Sequence, residues 1–244
     1  MLSIALTFPT WHRPYLALFE QTLASYFPEV IHDVAQNDPA LAQTLEEASK
    51  SWRLPYWDWC LYPQIPEEFS QPEIQMYSTN GGAELARNPL QQYKFKTRPQ
   101  YEPYSNWETT LRQPSSSDPD AVSVTEKANA WLANNQAQLK ILVMELFPQP
   151  LDPITPWFHF SNDQWELRVN PQQGNLTSLE NIHNLIHGNV GGTGHFGQTW
   201  FAAFDPIFWV HHCQVDRLFA VWEAAYPKIF FNDTGMSTYI LRLT

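Results

Sequence analysis

The sequence predicts a mainly α protein in which four helices pack antiparallel around one core, with long irregular loops between them. Helical start, stop and spacing signals recur in five segments of the chain. Aromatic residues make up 15% of the chain and charged residues only 16%, which supplies enough apolar surface for a core. The 244 residues suffice for one sizeable domain, so we expect a single domain over 1–244.

The first two helices are predicted from proline and capping positions. The first spans about Thr10 to Tyr26 and ends before Pro28. The second opens at Asp38-Pro39, where a capping side chain precedes proline at the first helical position. The segment Arg53 to Trp59 is too short and too interrupted by proline to continue it. Residues 61–122 are rich in Pro, Ser, Gln and Tyr without a sustained period, which predicts a long loop within the domain.

The remaining three helices follow that loop. Capping-box patterns precede two of them, at Ser123 to Glu126 and at Thr177 to Glu180. A glycine-rich loop, Gly188 to Gly197, separates the last two helices. The predicted bounds are about Ser123 to Phe147, Leu179 to Gly188, and Asp205-Pro206 to Tyr226 before Pro227.

Charge and hydropathy exclude two classes of partner. The net charge of −11 argues against nucleic acid, whose binding needs clustered Lys and Arg. No run approaches the roughly 18 apolar residues of a membrane span. The cysteines Cys60 and Cys213 form neither a zinc-type spacing nor a disulfide framework, and they leave the compartment open.

Histidines are the candidate metal ligands. His183 and His187 are spaced i, i+4, so that their imidazoles project from one helical face. Such a pair alone is more often structural, but His211-His212 on the next helix can deliver a third imidazole. An all-imidazole set suits copper, only modestly ahead of zinc. His195, in the glycine-rich loop, is a weak candidate for a substrate contact.

Three motifs in order carry a family resemblance. The segments Ser178 to His187 and Asp205 to Leu218 resemble the second copper-binding motif of tyrosinases. Phe8 to Glu20 resembles the end of the first copper motif, and Arg53 to Trp59 is similar to the segment between the two motifs. The motifs span roughly residues 8 to 227, and their sequences resemble those of fungal tyrosinases most.

The resemblance implies a type-3 dinuclear copper centre inside the helical bundle, with three histidines for each copper. Its ligands for the second copper are His183, His187 and His212, and for the first copper it supplies His12. His212 is chosen over His211 because the family ligand precedes the motif's aspartate, here Asp216, by four residues. Asp216 is itself either an acceptor near the ligands or a carboxylate paired with Arg217 or another nearby base.

The first copper site is incomplete by this mapping. The family's second ligand lies nine residues before the last, where this chain has Ser3, and the first ligand lies further upstream. The cysteine that often forms a thioether with the second ligand is absent as well. The resemblance therefore predicts a full ligand set for one of the two copper ions. We interpret the chain as a truncated gene product or as one whose gene start is mispredicted. The alternative is a degenerate, non-enzymatic relative.

The resemblance also implies the reaction, which is oxidation of phenols or o-diphenols by O2 to o-quinones, as in pigment formation. A small phenol and O2 would be the partners. Glu180 and Asn184 match the pair that in some members holds a water for phenol deprotonation, while Glu180 also fits the capping box of Thr177. The alternatives are a catechol-only or o-aminophenol oxidase, an oxygen carrier, and a silent copper-binding relative.

Overall fold

The computed structural model describes residues 7–77, 82–147, 156–163, 177–227 and 229. It confirms the mainly α fold class. No helix in these ranges is long and apolar enough to cross a membrane. The α-helices of the described ranges are α1 (Phe8–Ser25), α2 (Phe27–Val34), α3 (Pro39–Ser51), α4 (Thr125–Glu145), α5 (Pro156–Ser161), α6 (Leu179–Gly191) and α7 (Ile207–Ala225).

Proline starts helices near the amino terminus as well as ending them. Pro28 was predicted only as the stop of the first helix, yet it lies in the first turn of α2. Its fixed φ and missing N–H suit that position. Asp38 caps α3 as predicted, because its Oδ1 accepts hydrogen bonds from two first-turn N–H groups at 3.0 and 3.1 Å.

Both predicted capping boxes are wrong, because their hydroxyl groups make other contacts. The Oγ of Ser123 accepts a hydrogen bond from the backbone N–H of Arg112, so α4 begins without a side-chain cap. The hydroxyl of Thr177 donates to the carboxylate of Glu145 on α4. The next residue, Ser178, caps α6 instead, with its Oγ 3.1 Å from the N–H it accepts. Tertiary contacts have overridden the local pattern.

Regular structure also occurs inside the region 61–122. The strands β1 (Glu73–Tyr77) and β2 (Ala83–Arg87) form an antiparallel pair. Both strands are mostly exposed and contain little of the β-branched and aromatic sequence that predicts strands, so the pattern was not detectable. Arg112 anchors this region to the start of α7, with its Nε 3.3 Å from Oδ2 of the buried Asp205.

The helices that carry the predicted ligands are in direct contact. Helix α1 packs on α7 and α6, α6 packs on α7, and α4 packs on α6. The core-facing stripe of α6 is fully buried and consists of Leu179, Ile182, Ile186 and Val190. Because His183 and His187 each follow a residue of this stripe, they lie on the adjacent face, towards α1 and α7.

One arginine joins α1 to α7. The Nε of Arg13 lies 2.7 Å from Oδ1 of Asp216, and its Nη1 lies 2.8 Å from Oε2 of Glu223. The guanidinium also stacks 4.0 Å above the ring of Phe219. Of the two roles open for Asp216, the structure therefore shows the ion pair with a base, and that base is on α1.

Candidate metal centre

Three imidazoles from two helices converge at one point. The Nε2 atoms of His183 and His187, on α6, lie 3.1 and 3.0 Å from Nε2 of His212 on α7. The i, i+4 spacing places the first two side chains on one face of α6, and the contact between α6 and α7 brings the third against them. The sequence-predicted set for the second copper is thus brought together.

In two of these rings, a hydrogen bond at Nδ1 fixes the tautomer. Nδ1 of His187 donates to the carbonyl of Phe196 at 2.7 Å, and Nδ1 of His183 donates to Oδ1 of Asn184 at 3.0 Å. A neutral imidazole carries one N–H, so Nε2 in both rings is left with a lone pair.

This donor set fits a metal ion better than it fits hydrogen bonding. Because the Nε2 atoms of His183 and His187 carry no proton, two lone pairs are directed at the nitrogen of His212 at 3.0–3.1 Å. Three ligands at the usual metal–imidazole distance of about 2.0–2.1 Å would stand roughly 3.3 Å apart at tetrahedral angles. A cation between them would accept all three lone pairs, whereas hydrogen bonding offers at most one proton, on Nε2 of His212, to be shared by the other two nitrogens.

Burial keeps these imidazoles neutral. It lowers the pKa of His187 to about 4, and it lowers the pKa of His183 and His212 well below the ordinary value. Neighbouring imidazoles act in the same direction on His183 and His212. At neutral pH the rings are therefore available as neutral ligands without losing a proton.

His12 enters the same cluster from α1. Its ring is stacked on that of His212, with 4.6 Å between centroids and 29° between planes. Nδ1 of His12 donates to the carbonyl of Phe8 at 2.8 Å, which again leaves Nε2 unprotonated. The ring of Phe8 lies 4.7 Å from those of both His12 and His183, so it fills the space between α1 and α6.

The adjacent histidines of α7 occupy different positions. One nitrogen of His211 belongs to a group of four imidazole nitrogens that lie within 4.8 Å of one another, but only His212 reaches both rings of α6 at 3.0–3.1 Å. His211 is fully buried and stacks on His183 at 5.3 Å and 14°.

Glycine lets the loop after α6 reach His187. A Cβ on Gly191 would lie 2.0 Å from the backbone nitrogen of Gly197, so the two chain segments touch without side chains between them. Gly192 ends the helix with φ of +58°, which favours glycine. This close return brings the carbonyl of Phe196 onto Nδ1 of His187.

Glu180 and Asn184 meet at a residue that sequence reasoning missed. Nδ2 of Asn184 donates to Oδ2 of Asp163 at 3.0 Å, and the backbone N–H of Asp163 donates to Oε2 of Glu180 at 3.1 Å. Glu180 is therefore not the partner of a capping box at Thr177. The only sequence signal for Asp163 is the polar run Ser161 to Asp163, which begins at the last residue of α5.

Glu180 is expected to make stability depend on pH. Burial, chiefly, raises its pKa to about 7 from the ordinary value of 4.5. The folded chain then holds a proton between about pH 4.5 and 7 that the unfolded chain releases, so this contribution is present below pH 4.5 and is lost as pH rises through 7. Glu180→Gln keeps an acceptor and should flatten this part of the profile.

Thermal unfolding of the metal-free protein and of this variant, from pH 4 to 8, gives the measurement. Taking the difference between the two profiles cancels the pH-dependent contribution of the histidines, which both proteins share. A difference that is constant across this range would contradict the raised pKa of Glu180.

The other histidines lie outside this cluster. His195 is buried, its Nδ1 accepts the N–H of Leu111 at 3.0 Å, and aromatic rings surround it, so the suggested substrate contact is wrong. His32 is exposed on α2, and His159 lies on α5. Burial raises the pKa of the free thiols of Cys60 and Cys213 to about 12. Ser3 falls outside the described residues.

Comparison with known sequences gives a consistent assignment. The sequence-family model described as the common central domain of tyrosinase matches residues 4–225 of this chain. A tyrosinase of Podospora anserina is 34% identical over 238 residues, which cover 93% of this chain and 40% of that protein. A tyrosinase of Neurospora crassa is 35% identical, with 93% and 33% covered. Polyphenol oxidase 2 of Agaricus bisporus is 33% identical, with 93% and 39% covered. The chain thus spans two fifths or less of these relatives' length.

Solved structures with a similar fold come from the same group. Recombinant mushroom tyrosinase superposes with a TM-score of 0.77 at 29% identity, covering 92% of this chain and 40% of the other. The holo-protyrosinase of Aspergillus oryzae gives a TM-score of 0.76 at 26% identity, covering 96% and 50%.

Proposed function

This chain belongs to the tyrosinase family of copper oxidoreductases, and we propose that it oxidises phenols or o-diphenols to o-quinones with O2. The observation that carries the proposal is the convergence of imidazole nitrogens from α6 and α7, where Nε2 of His183 and Nε2 of His187 lie 3.1 and 3.0 Å from Nε2 of His212. His183, His187 and His212 would hold one copper ion, and His12 would contribute to the other.

The reaction needs electron transfer to O2 and removal of protons from the phenol. Two o-diphenols lose two electrons and two protons each, and one O2 takes up all of these to form two water molecules. Bound copper would supply the redox chemistry that couples the two half-reactions. Small molecules could reach the copper site, since His183 and His187 are only half-buried.

Glu180 and Asn184 would act on the proton. A phenol has a pKa near 10, so a base beside the metal centre helps to form the phenolate. The pKa of Glu180 is raised to about 7, which lets its carboxylate accept a proton near neutral pH. Asn184 lies between Nδ1 of His183 and Asp163, where its amide can orient a water beside Glu180.

A paired assay tests the function. One protein is the unaltered 244-residue chain, and the other carries Ser3→His and an upstream histidine, which complete the first copper site in the family pattern. Both are loaded with copper and their copper content is measured. We expect about one copper per chain and little oxidation of catechol for the first protein, and two coppers with robust quinone formation for the second.

The substrate panel separates the candidate reactions. Catechol, a monophenol and an o-aminophenol are supplied in turn, and a chelator excludes reaction by free copper. Activity on catechol or o-aminophenol alone would identify the narrower oxidases. A completed protein that holds two coppers yet oxidises none of the three, or that binds O2 reversibly without turnover, would contradict the proposal.

Asn184→Leu should lower monophenol turnover more than catechol turnover. Catechol is the more acidic substrate, so it depends less on a held water and a nearby base. Rates are measured on the completed protein and are expressed per bound copper, because Asn184 also contacts the ligand His183. Equal losses on both substrates would mean that Asn184 acts on the metal site alone.

A further inference from the structure

A chain of hydrogen bonds leads from Asp163 to the metal centre. Oδ2 of Asp163 accepts Nδ2–H of Asn184 at 3.0 Å, and Oδ1 of the same amide accepts Nδ1–H of His183 at 3.0 Å. Nε2 of His183 then faces Nε2 of His212 at 3.1 Å. Asp163 itself does not contact the metal cluster, and its backbone is fixed to α6 through Glu180.

The direction of each bond follows from the one before it. A carboxylate accepts hydrogen bonds and has none to donate, so it binds only the NH2 end of the Asn184 amide. That choice turns the amide oxygen towards His183, and the oxygen requires a proton on Nδ1 of the ring. The ring proton is thereby removed from Nε2, where the metal would bind.

We infer that Asp163 is a positioning residue that sets the metal-binding tautomer of His183 through Asn184. The inference rests on the proposed metal centre but not on its substrate. Without an acceptor at position 163 that excludes the other orientation, the amide of Asn184 can turn over and present NH2 to His183. That orientation favours the proton on Nε2, which blocks the metal-binding nitrogen.

Two exchanges of carboxylate and amide test this. Asp163→Asn has nearly the same shape but can either donate or accept, so it permits both amide orientations. The double variant Asp163→Asn with Asn184→Asp restores a single pattern: the introduced carboxylate accepts Nδ1–H of His183 with one oxygen and the introduced amide with the other. Asp120→Asn, at an exposed site, is the matched control for loss of charge.

The tautomer is read in metal-free protein by ¹⁵N NMR of the histidine rings, with His183 assigned from a His183→Gln spectrum. Copper affinity is measured separately by competition with a chelator. We expect Asp163→Asn to populate the Nε2–H form of His183 and to weaken copper binding about 10- to 100-fold, as for other residues behind a metal ligand. The double variant should return both readings towards the parent.

An unchanged tautomer in Asp163→Asn would overturn the inference even if the protein binds copper and oxidises phenols. So would a loss that the double variant fails to recover while circular dichroism shows it folded. A failure of the proposed function has a different signature, which is absence of quinone formation from the completed protein with its copper affinity and tautomer intact.

Discussion

Replacing His212 with Ala should abolish copper retention, whereas His211→Ala should leave most of it. Neighbouring residues on a helix point about 100° apart, so only one of the two can face a given metal. Nε2 of His212 stands 3.0 and 3.1 Å from Nε2 of His187 and of His183 on α6, so it would complete their ligand set. Loss of a direct ligand should weaken binding by more than the about 10- to 100-fold found for residues behind a ligand.

Copper affinity of both variants is measured by chelator competition, with the metal-free proteins checked for folding. Both side chains are buried, at 0% and 1% exposure, so each substitution also opens a cavity. His212→Gln and His211→Gln, which fill more of that space, serve as the size-matched pair. Equal losses of copper in folded His211 and His212 variants would contradict the assignment.

The histidine cluster was predictable because its signal is local. The i, i+4 pair His183 and His187 lies within one helix, and its spacing alone places both rings on one face. The choice of His212 over His211 came from the family motif, and the convergence of the three Nε2 atoms supports it. Ser3 falls outside the described residues, so the mapping of the first copper site beyond His12 stays a prediction.

What the sequence did not reveal depends on contacts between distant segments. Asp163 acquires its place only because α5 ends beside α6, and no spacing rule connects it to Asn184. Thr177 and Ser123 have the residue types of capping boxes, but each hydroxyl binds a partner that is remote or in a preceding loop. Burial of His195 behind aromatic rings likewise follows from the return of its loop to Leu111.

The second large effect concerns the ion pair that holds the region 61–122 against α7. Arg112 and Asp205 are 4% and 0% exposed, and Nε of the first lies 3.3 Å from Oδ2 of the second. Arg112 also donates to the carbonyls of Phe69 and Gln91. Oδ1 of Asp205 accepts the first-turn N–H of Ile207, so the pair fixes the start of the helix that carries His212.

Arg112→Met should lower the free energy of unfolding by about 3–5 kcal/mol, because it leaves a buried carboxylate without its countercharge. Burial already raises the pKa of Asp205 and Arg112 opposes that rise, so the variant should raise it further. The folded variant then binds a proton that the unfolded chain releases, and part of the lost stability should return as pH falls through the raised pKa.

The double variant Arg112→Met with Asp205→Asn loses the same arginine contacts yet keeps an acceptor for Ile207. Chemical denaturation of the three proteins at neutral and acidic pH should therefore place the double variant above the single one at neutral pH, with the gap closing in acid. A single variant that is no less stable than the double at neutral pH would show that the buried charge is not what Arg112 compensates.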